Sequence, residues 1–181
     1  IDITSRKQTD SALLDALAVS VQRHAEISAL LEGSRAVAGY HNFKEAAQSL
    51  FDSCKELTGA TSGYIALLSE DGMENEVLFV HSGGLPCAVD EPLPMPVRGL
   101  RGEVFRNATA MYDNDFTKSE WITLLPEGHT AINNVLIAPM IVDGKVIGLF
   151  GLANKQGGFN NDDARMASAF ADLIALALVR K

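Results

Sequence analysis

Hydrophobic and polar positions are ordered most legibly in the last third of the chain. Apolar runs at 135–142 and 146–152 flank Asp143-Gly144, and a DG pair supplies the positive φ angles that a two-residue hairpin turn needs. After the second run come Asn154-Lys155, then Gly157-Gly158-Phe159, then Asn160-Asn161-Asp162-Asp163 at the head of an apolar-periodic helix over 162–179. Asn160 stands where an N-cap belongs, and the two aspartates lie where a helix dipole favours negative charge.

Towards the N-terminus, residues 10–38 read as a long helix capped by Asp10 or Ser11. Leu14, Leu17, Val21, His24 and Leu31 fall near a 3–4 spacing, with Ser28 interrupting the seam and Ile27 offset by one. Two readings stand: a helix packed on its own domain, or a linker helix that pairs with its twin in a dimer. Gly33 and Gly39 are expected to weaken its far end. A second helix spans 42–57, with Phe43, Ala46, Ala47, Leu50, Phe51 and Cys54 on one face and Gly59 at its stop.

Runs at 62–69 and 76–82 read as paired strands joined around Asp71-Gly72. The segment 83–96 carries Pro86, Pro92, Pro94 and Pro96, and is expected to be irregular because proline neither donates to a sheet ladder nor sits inside a helix. A short helix at 99–107, a short strand at 110–113 and another short helix at 119–125 precede the closing hairpin. No repeat and no boundary falls inside 40–181, so residues 1–39 form a linker or dimerisation helix and 40–181 one domain. This order of elements predicts an α+β fold, an antiparallel sheet with helices on one face.

Composition narrows the function. The 181 residues are 47% hydrophobic and 21% charged, as in an ordinary globular protein with a sizeable core. A net charge of −8, with scattered Lys and Arg, argues against nucleic acid or an anionic membrane surface as partner. Asp143 and Lys145 interrupt the longest apolar stretch, so no membrane insertion is expected. Two cysteines, Cys54 and Cys87, build no disulfide framework, which points to a reducing cytoplasm. Ile1 in place of Met implies a segment of a longer protein. There is no Gly-rich phosphate loop, no nucleophile elbow and no metalloprotease signature, so no enzyme is expected.

The strand SGYIALL at 62–68, the run GLRGEVFR at 99–106 and the hairpin NVLIAPMIVDGKVIGLFGLANK at 134–155 together resemble a GAF domain, a sensor module common in bacterial signalling proteins. The resemblance covers residues 40–178. Asn154, Lys155, Phe159 and Asp163 match the family's Asn-Lys, Phe and Asp positions, while Ala164 stands where its Glu would be. It implies a sheet of five to six strands, with the terminal helices on one face and a helix-and-loop crossover on the other. It also implies that Lys155 and Asp163 form a structural ion pair rather than ligand contacts.

The same resemblance implies a small-ligand pocket between the sheet and the crossover, at residues 80–133, in a sensor histidine kinase or similar protein that dimerises through its terminal helices. Candidate ligand contacts there are Cys87, Tyr112, Asp113, Trp121 and His129. Asp115 is expected to cap the helix after it. Haem on Cys87 or a histidine is an alternative, whereas a bilin is disfavoured because Cys87 is followed by Ala88 and not His. A metal held by Asp113, Asp115 and His129 matches no known ligand spacing. Two more alternatives stand: a ligand-free dimerisation module, and the reductase of free methionine sulfoxide, which needs closely placed cysteines.

Overall fold

Among the residues that the computed structural model describes, 3–39, 42–84, 95–125 and 129–179, six strands form one antiparallel sheet in the order β3-β2-β1-β6-β5-β4. They are β1 (Ser62–Leu68), β2 (Glu74–His81), β3 (Met95–Pro96), β4 (Met111–Asp113), β5 (Val135–Val142) and β6 (Lys145–Ala153). The helices are α1 (Ile3–Gly39), α2 (Phe43–Thr58), α3 (Gly99–Asn107) and α4 (Asn161–Val179), with two 3-10 turns at Phe116–Lys118 and Glu120–Leu124.

The hairpin turns as its residues dictate. Asp143 and Gly144 both take left-handed conformations, at φ 49° and 75°, and Val142 pairs with Lys145 across them. The continuous apolar character of β5 follows from burial on both faces. Leu136, Ala138 and Met140 join Phe150, Leu152 and Ile65 beneath α2 and α4, while Val135, Ile137 and Leu149 belong to a second cluster under α3. Pro139 lies past the reach of β4, whose pairing stops at Ile137, so one side of the strand is without a partner there.

Helix α2 starts at Asn42, whose side chain accepts the Lys44 N–H at 2.9 Å, and stops at Gly59, left-handed at φ 75° with its N–H on the Lys55 and Glu56 carbonyls. Helix α4 lays Met166, Phe170, Ala171 and Ile174 on the sheet and α2. Moving side chains like Phe170 and Ile174 out of water contributes about 2–3 kcal/mol each.

Helix α1 divides into two halves. Its described side chains from 6 to 25 are all exposed, whereas Glu26, Gly33 and Val37 are buried against α2 and α4. The far half therefore packs on its own domain, as the first reading of the sequence expects, while the first half projects from it. The helix also starts earlier than the sequence predicts, at Ile3. Gly33 does not weaken it: a Cβ there would lie 2.6 Å from Leu50 and 3.2 Å from Leu173, so the glycine lets three helices approach closely. Close packing outweighs propensity.

Three boundaries differ from expectation. Strand β2 begins at Glu74, two residues early. Met95–Pro96, expected to be irregular, forms an edge strand on β2, where a residue lacking an N–H is tolerated. The helix expected at 119–125 is a 3-10 turn. Pro86, Cys87, Pro92, Pro94 and Pro126 lie outside the described residues. No described helix is long and apolar enough to cross a membrane.

Candidate functional site

The second cluster occupies the face of the sheet opposite α2 and α4. Helix α3 lowers Leu100 and Val104 onto Val135, Ile137 and Leu149, and the first 3-10 turn adds Phe116. Half-buried Tyr64, Phe105, Met111, Trp121 and Ile122 pack around them. Strand parity turns Tyr64 to this face, where its cross-strand neighbour is Gly151. A Cβ on Gly151 would stand 2.4 Å from the Tyr64 ring, so the bare backbone of β6 is the seat of the phenol.

The Tyr64 hydroxyl is buried and has no hydrogen-bond partner. The guanidinium of Arg101, in the first turn of α3, lies near enough to act on it. Burial raises the Tyr64 pKa above the usual phenol value, and Arg101 offsets that only in part. Tyr64 is therefore a neutral hydrogen-bond donor at physiological pH.

Four of the five candidate residues lie among the described ones, each engaged in contacts of its own. Trp121 packs against the second cluster, its N–H held 3.3 Å from the Ser119 hydroxyl. Asp113, at the end of β4, accepts the Asp115 N–H at 2.9 Å. Tyr112 is exposed and donates its hydroxyl to Asn161 at 3.1 Å, which ties β4 to the start of α4. His129 is exposed, with Nδ1 2.8 Å from the Thr130 carbonyl. Cys87 lies outside the described residues. Asp115 does not cap as expected: its carboxylate holds Lys118 Nζ at 2.7 Å and takes no backbone N–H. Asp113 has that local role instead.

The four motif residues do converge, on the loop between β6 and α4. Lys155 Nζ lies 2.5 Å from Asp163 Oδ2, with side-chain exposures of only 19% and 10%. The same Asp163 oxygen accepts the Asn160 N–H at 2.9 Å, and Asn160 accepts the Asp162 and Asp163 N–H groups. Asn154, left-handed at φ 58°, accepts the Asn133 N–H and donates to the Ala131 carbonyl. Phe159 is buried in the main core.

Two brackets escaped the sequence reading. The Asn134 amide accepts the Lys155 N–H and donates to the Lys155 carbonyl, each at 2.9 Å. Asn114 does the same for Phe159, at 2.7 and 2.8 Å. Each asparagine meets its target only through the fold, and a lone Asn in a loop carries no distinguishing signal.

Among the described residues no three His, Cys, Asp or Glu side chains gather to hold a metal ion. Cys54 sits fully buried in the main core, where desolvation, reinforced by the Asp163 carboxylate, pushes its thiol well above the usual range.

A family model described as GAF domain matches residues 41–179. None of the curated proteins matches the chain. Among solved structures, the GAF domain of a phosphoenolpyruvate-protein phosphotransferase from Coxiella burnetii superposes with a TM-score of 0.74 at 16% identity, over 87% of this chain and 94% of that one. The GAF domain of the phosphoenolpyruvate-protein phosphotransferase from Acinetobacter gives 0.71 at 17% identity, over 85% and 92%. The free methionine-R-sulfoxide reductase from Neisseria meningitidis, in complex with its substrate, gives 0.69 at 16% identity, over 85% and 88%. At such identities the likeness is one of fold.

Proposed function

The chain belongs to the GAF domain family, and on that premise we propose that it is a non-catalytic small-molecule sensor of a cytoplasmic signal-transduction protein, with a sensor histidine kinase as the favoured parent. The observation that carries this reading is the second buried cluster. It packs on the sheet independently of the main core, and it holds one buried polar atom without a partner among the described residues, the Tyr64 hydroxyl, which a ligand would satisfy. Occupancy there bears on α3 and β5. Helix α4 lies on the other side of β5 and α1 lies on α4, so a shift in the sheet has a packed route to the terminal helices. A ligand moves such an equilibrium only by its difference in affinity between the two states.

The output we propose is a homodimer paired through α1. Leu14, Leu17 and Val21 are 66%, 59% and 61% exposed on its projecting half, an apolar stripe that a second copy would cover. The reductase reading is disfavoured because Cys54, one of the chain's two cysteines, is sealed in the core with its thiol held protonated. Haem gains no support from His129, the described imidazole of the crossover, which is exposed and engaged with a neighbouring carbonyl.

A thermal-shift screen of the purified chain against nucleotides and metabolites tests the sensor reading. A binder raises the melting temperature. Uniformly flat responses favour the ligand-free dimerisation module instead. A Soret band in the purified protein would reinstate haem.

A further inference from the structure

Helix α1 carries two faces of the same period, one packed and one bare. Glu26, Leu30, Gly33 and Val37, spaced four and three apart, lie on the side that meets α2 and α4. On the opposite side Leu14, Leu17, Val21 and Leu31 follow the 4-3 spacing of a coiled-coil seam, with His24 and Ser28 at the two positions between. This seam does not stop where the helix joins its domain. Leu31 and the flanking Ile27 are still 52% and 64% exposed on the packed half. The bare face is thus one stripe along both halves of α1, turned away from the domain.

Charge at the ends of the stripe distinguishes the ways in which a second copy can cover it. The next seam position before Leu14 is Asp10, and the next after Leu31 is Arg35, both exposed. Parallel copies in register set Asp10 against Asp10 and Arg35 against Arg35, and bring the Glu32 carboxylate beside Ile27. Like charges directly opposed are unfavourable, and a carboxylate pressed on an apolar side chain loses hydration. Antiparallel copies, with their dyad between residues 22 and 23, instead pair Asp10 with the partner's Arg35 at both ends. The same register sets Leu14 against the partner's Leu31, and Val21 against the partner's His24. Glu32 then lies beside the partner's Ser11. At the centre Ala18 meets the partner's Ala25, two small residues that let the helices approach.

We propose that the stripe from Asp10 to Arg35 docks a second copy of the chain in antiparallel orientation, closed at each end by an Asp10–Arg35 pair. The inference rests on the α1 homodimer proposed above and fixes its orientation and register. The projecting half of each α1 then lies along the packed half of its partner. A shift of α4 against α1 in one copy therefore bears on the free half of the other copy's helix, which makes the pair a route between the two domains.

A distance and a charge exchange test this orientation on the full chain. A nitroxide is placed on Ser34→Cys in a Cys87→Ser background, and the separation between copies is read by pulsed EPR. Antiparallel pairing puts the two labels about 35 Å apart along the helix axis, at 1.5 Å per residue. Parallel pairing keeps them within about 15 Å, given helix axes about 10 Å apart. In sedimentation equilibrium, Asp10→Arg and Arg35→Asp should each weaken the dimer about tenfold, by turning two attractive end pairs into repulsive ones. The double variant Asp10→Arg with Arg35→Asp should restore it, because the pairs re-form with their signs exchanged. In a parallel dimer each single change merely swaps one like-charged pair for another and leaves the affinity unaltered. A dimer with the short distance, or with single variants as tight as the parent, overturns the orientation and leaves the homodimer reading standing. A chain that stays monomeric at high concentration removes both.

Discussion

The side-chain amide of Asn114 pairs with both backbone groups of Phe159, accepting its N–H at 2.7 Å and donating to its carbonyl at 2.8 Å. This bracket joins the crossover to the loop before α4, across 45 residues of sequence, and seats the Phe159 ring in the main core. Asn114→Ala leaves both backbone groups without a partner, so destabilisation of about 2–3 kcal/mol is expected in urea denaturation. Asn114→Asp keeps the acceptor and loses the donor, and should fall between the two. An alanine variant as stable as the parent would remove the bracket from the account.

Lys155 and Asp163 hold the other end of that loop. Because the pair is largely shielded and Asp163 also accepts the Asn160 N–H, Asp163→Ala should cost about 3 kcal/mol. Lys155→Met leaves a shielded carboxylate without its cation and should cost about as much. A double-mutant cycle with Asp163→Asn is expected to show a coupling of about 1–3 kcal/mol. Additive effects would mean that the two residues act separately.

Gly151 and Tyr64 are coupled by space rather than charge. Gly151→Ala places a methyl group 2.4 Å from the phenol ring and within the strand pairing of β1 and β6, so a loss of about 1–3 kcal/mol is predicted. Adding Tyr64→Leu should recover part of that loss in thermal melts. If the second substitution recovers nothing, the ring is not what limits the site.

The projecting half of α1 is expected to carry self-association. Leu14→Glu with Leu17→Glu should convert a dimer to a monomer in sedimentation velocity and leave the melting of the sheet domain unaltered, since neither side chain touches that domain. A parent chain that sediments as a monomer at high concentration would contradict the pairing.

Asp71, in the turn between β1 and β2, accepts the Ser69 hydroxyl at 2.6 Å and the Met73 N–H at 3.0 Å. The hydroxyl first and the amide second hold its carboxyl below the usual aspartate value. A depressed folded pKa contributes stability that is present above the unfolded value and is lost as pH falls through the folded one. Carboxyl NMR titration should therefore show Asp71 ionising below a free aspartate, and Ser69→Ala should bring it back up. No change on that substitution would rule out the hydroxyl as the main cause.

Local chemistry alone was enough for the elements whose cause lies within a few residues. The Asp143-Gly144 turn, the Gly59 stop of α2, the Asn160 cap of α4 and the span of α3 all follow from nearest-neighbour geometry. A turn residue or cap acts on backbone groups two to four positions away. The family motif carried one contact further, the Lys155–Asp163 pair, because both ends lie in one short loop.

Contacts between distant segments were decided only by the tertiary structure. Asn114 meets Phe159, Asn134 meets Lys155 and Tyr64 lies over Gly151 because the sheet order brings β4, β5, β6 and β1 side by side. Parity within that sheet also turned Tyr112 towards α4 and Tyr64 towards α3. Side chains alternate across a strand, so the face a residue serves depends on a register that no single segment encodes. Tyr64 and Gly33 show the limit most clearly. One reads as a strand aromatic and the other as a helix weakener, until the chain that packs against each is in place.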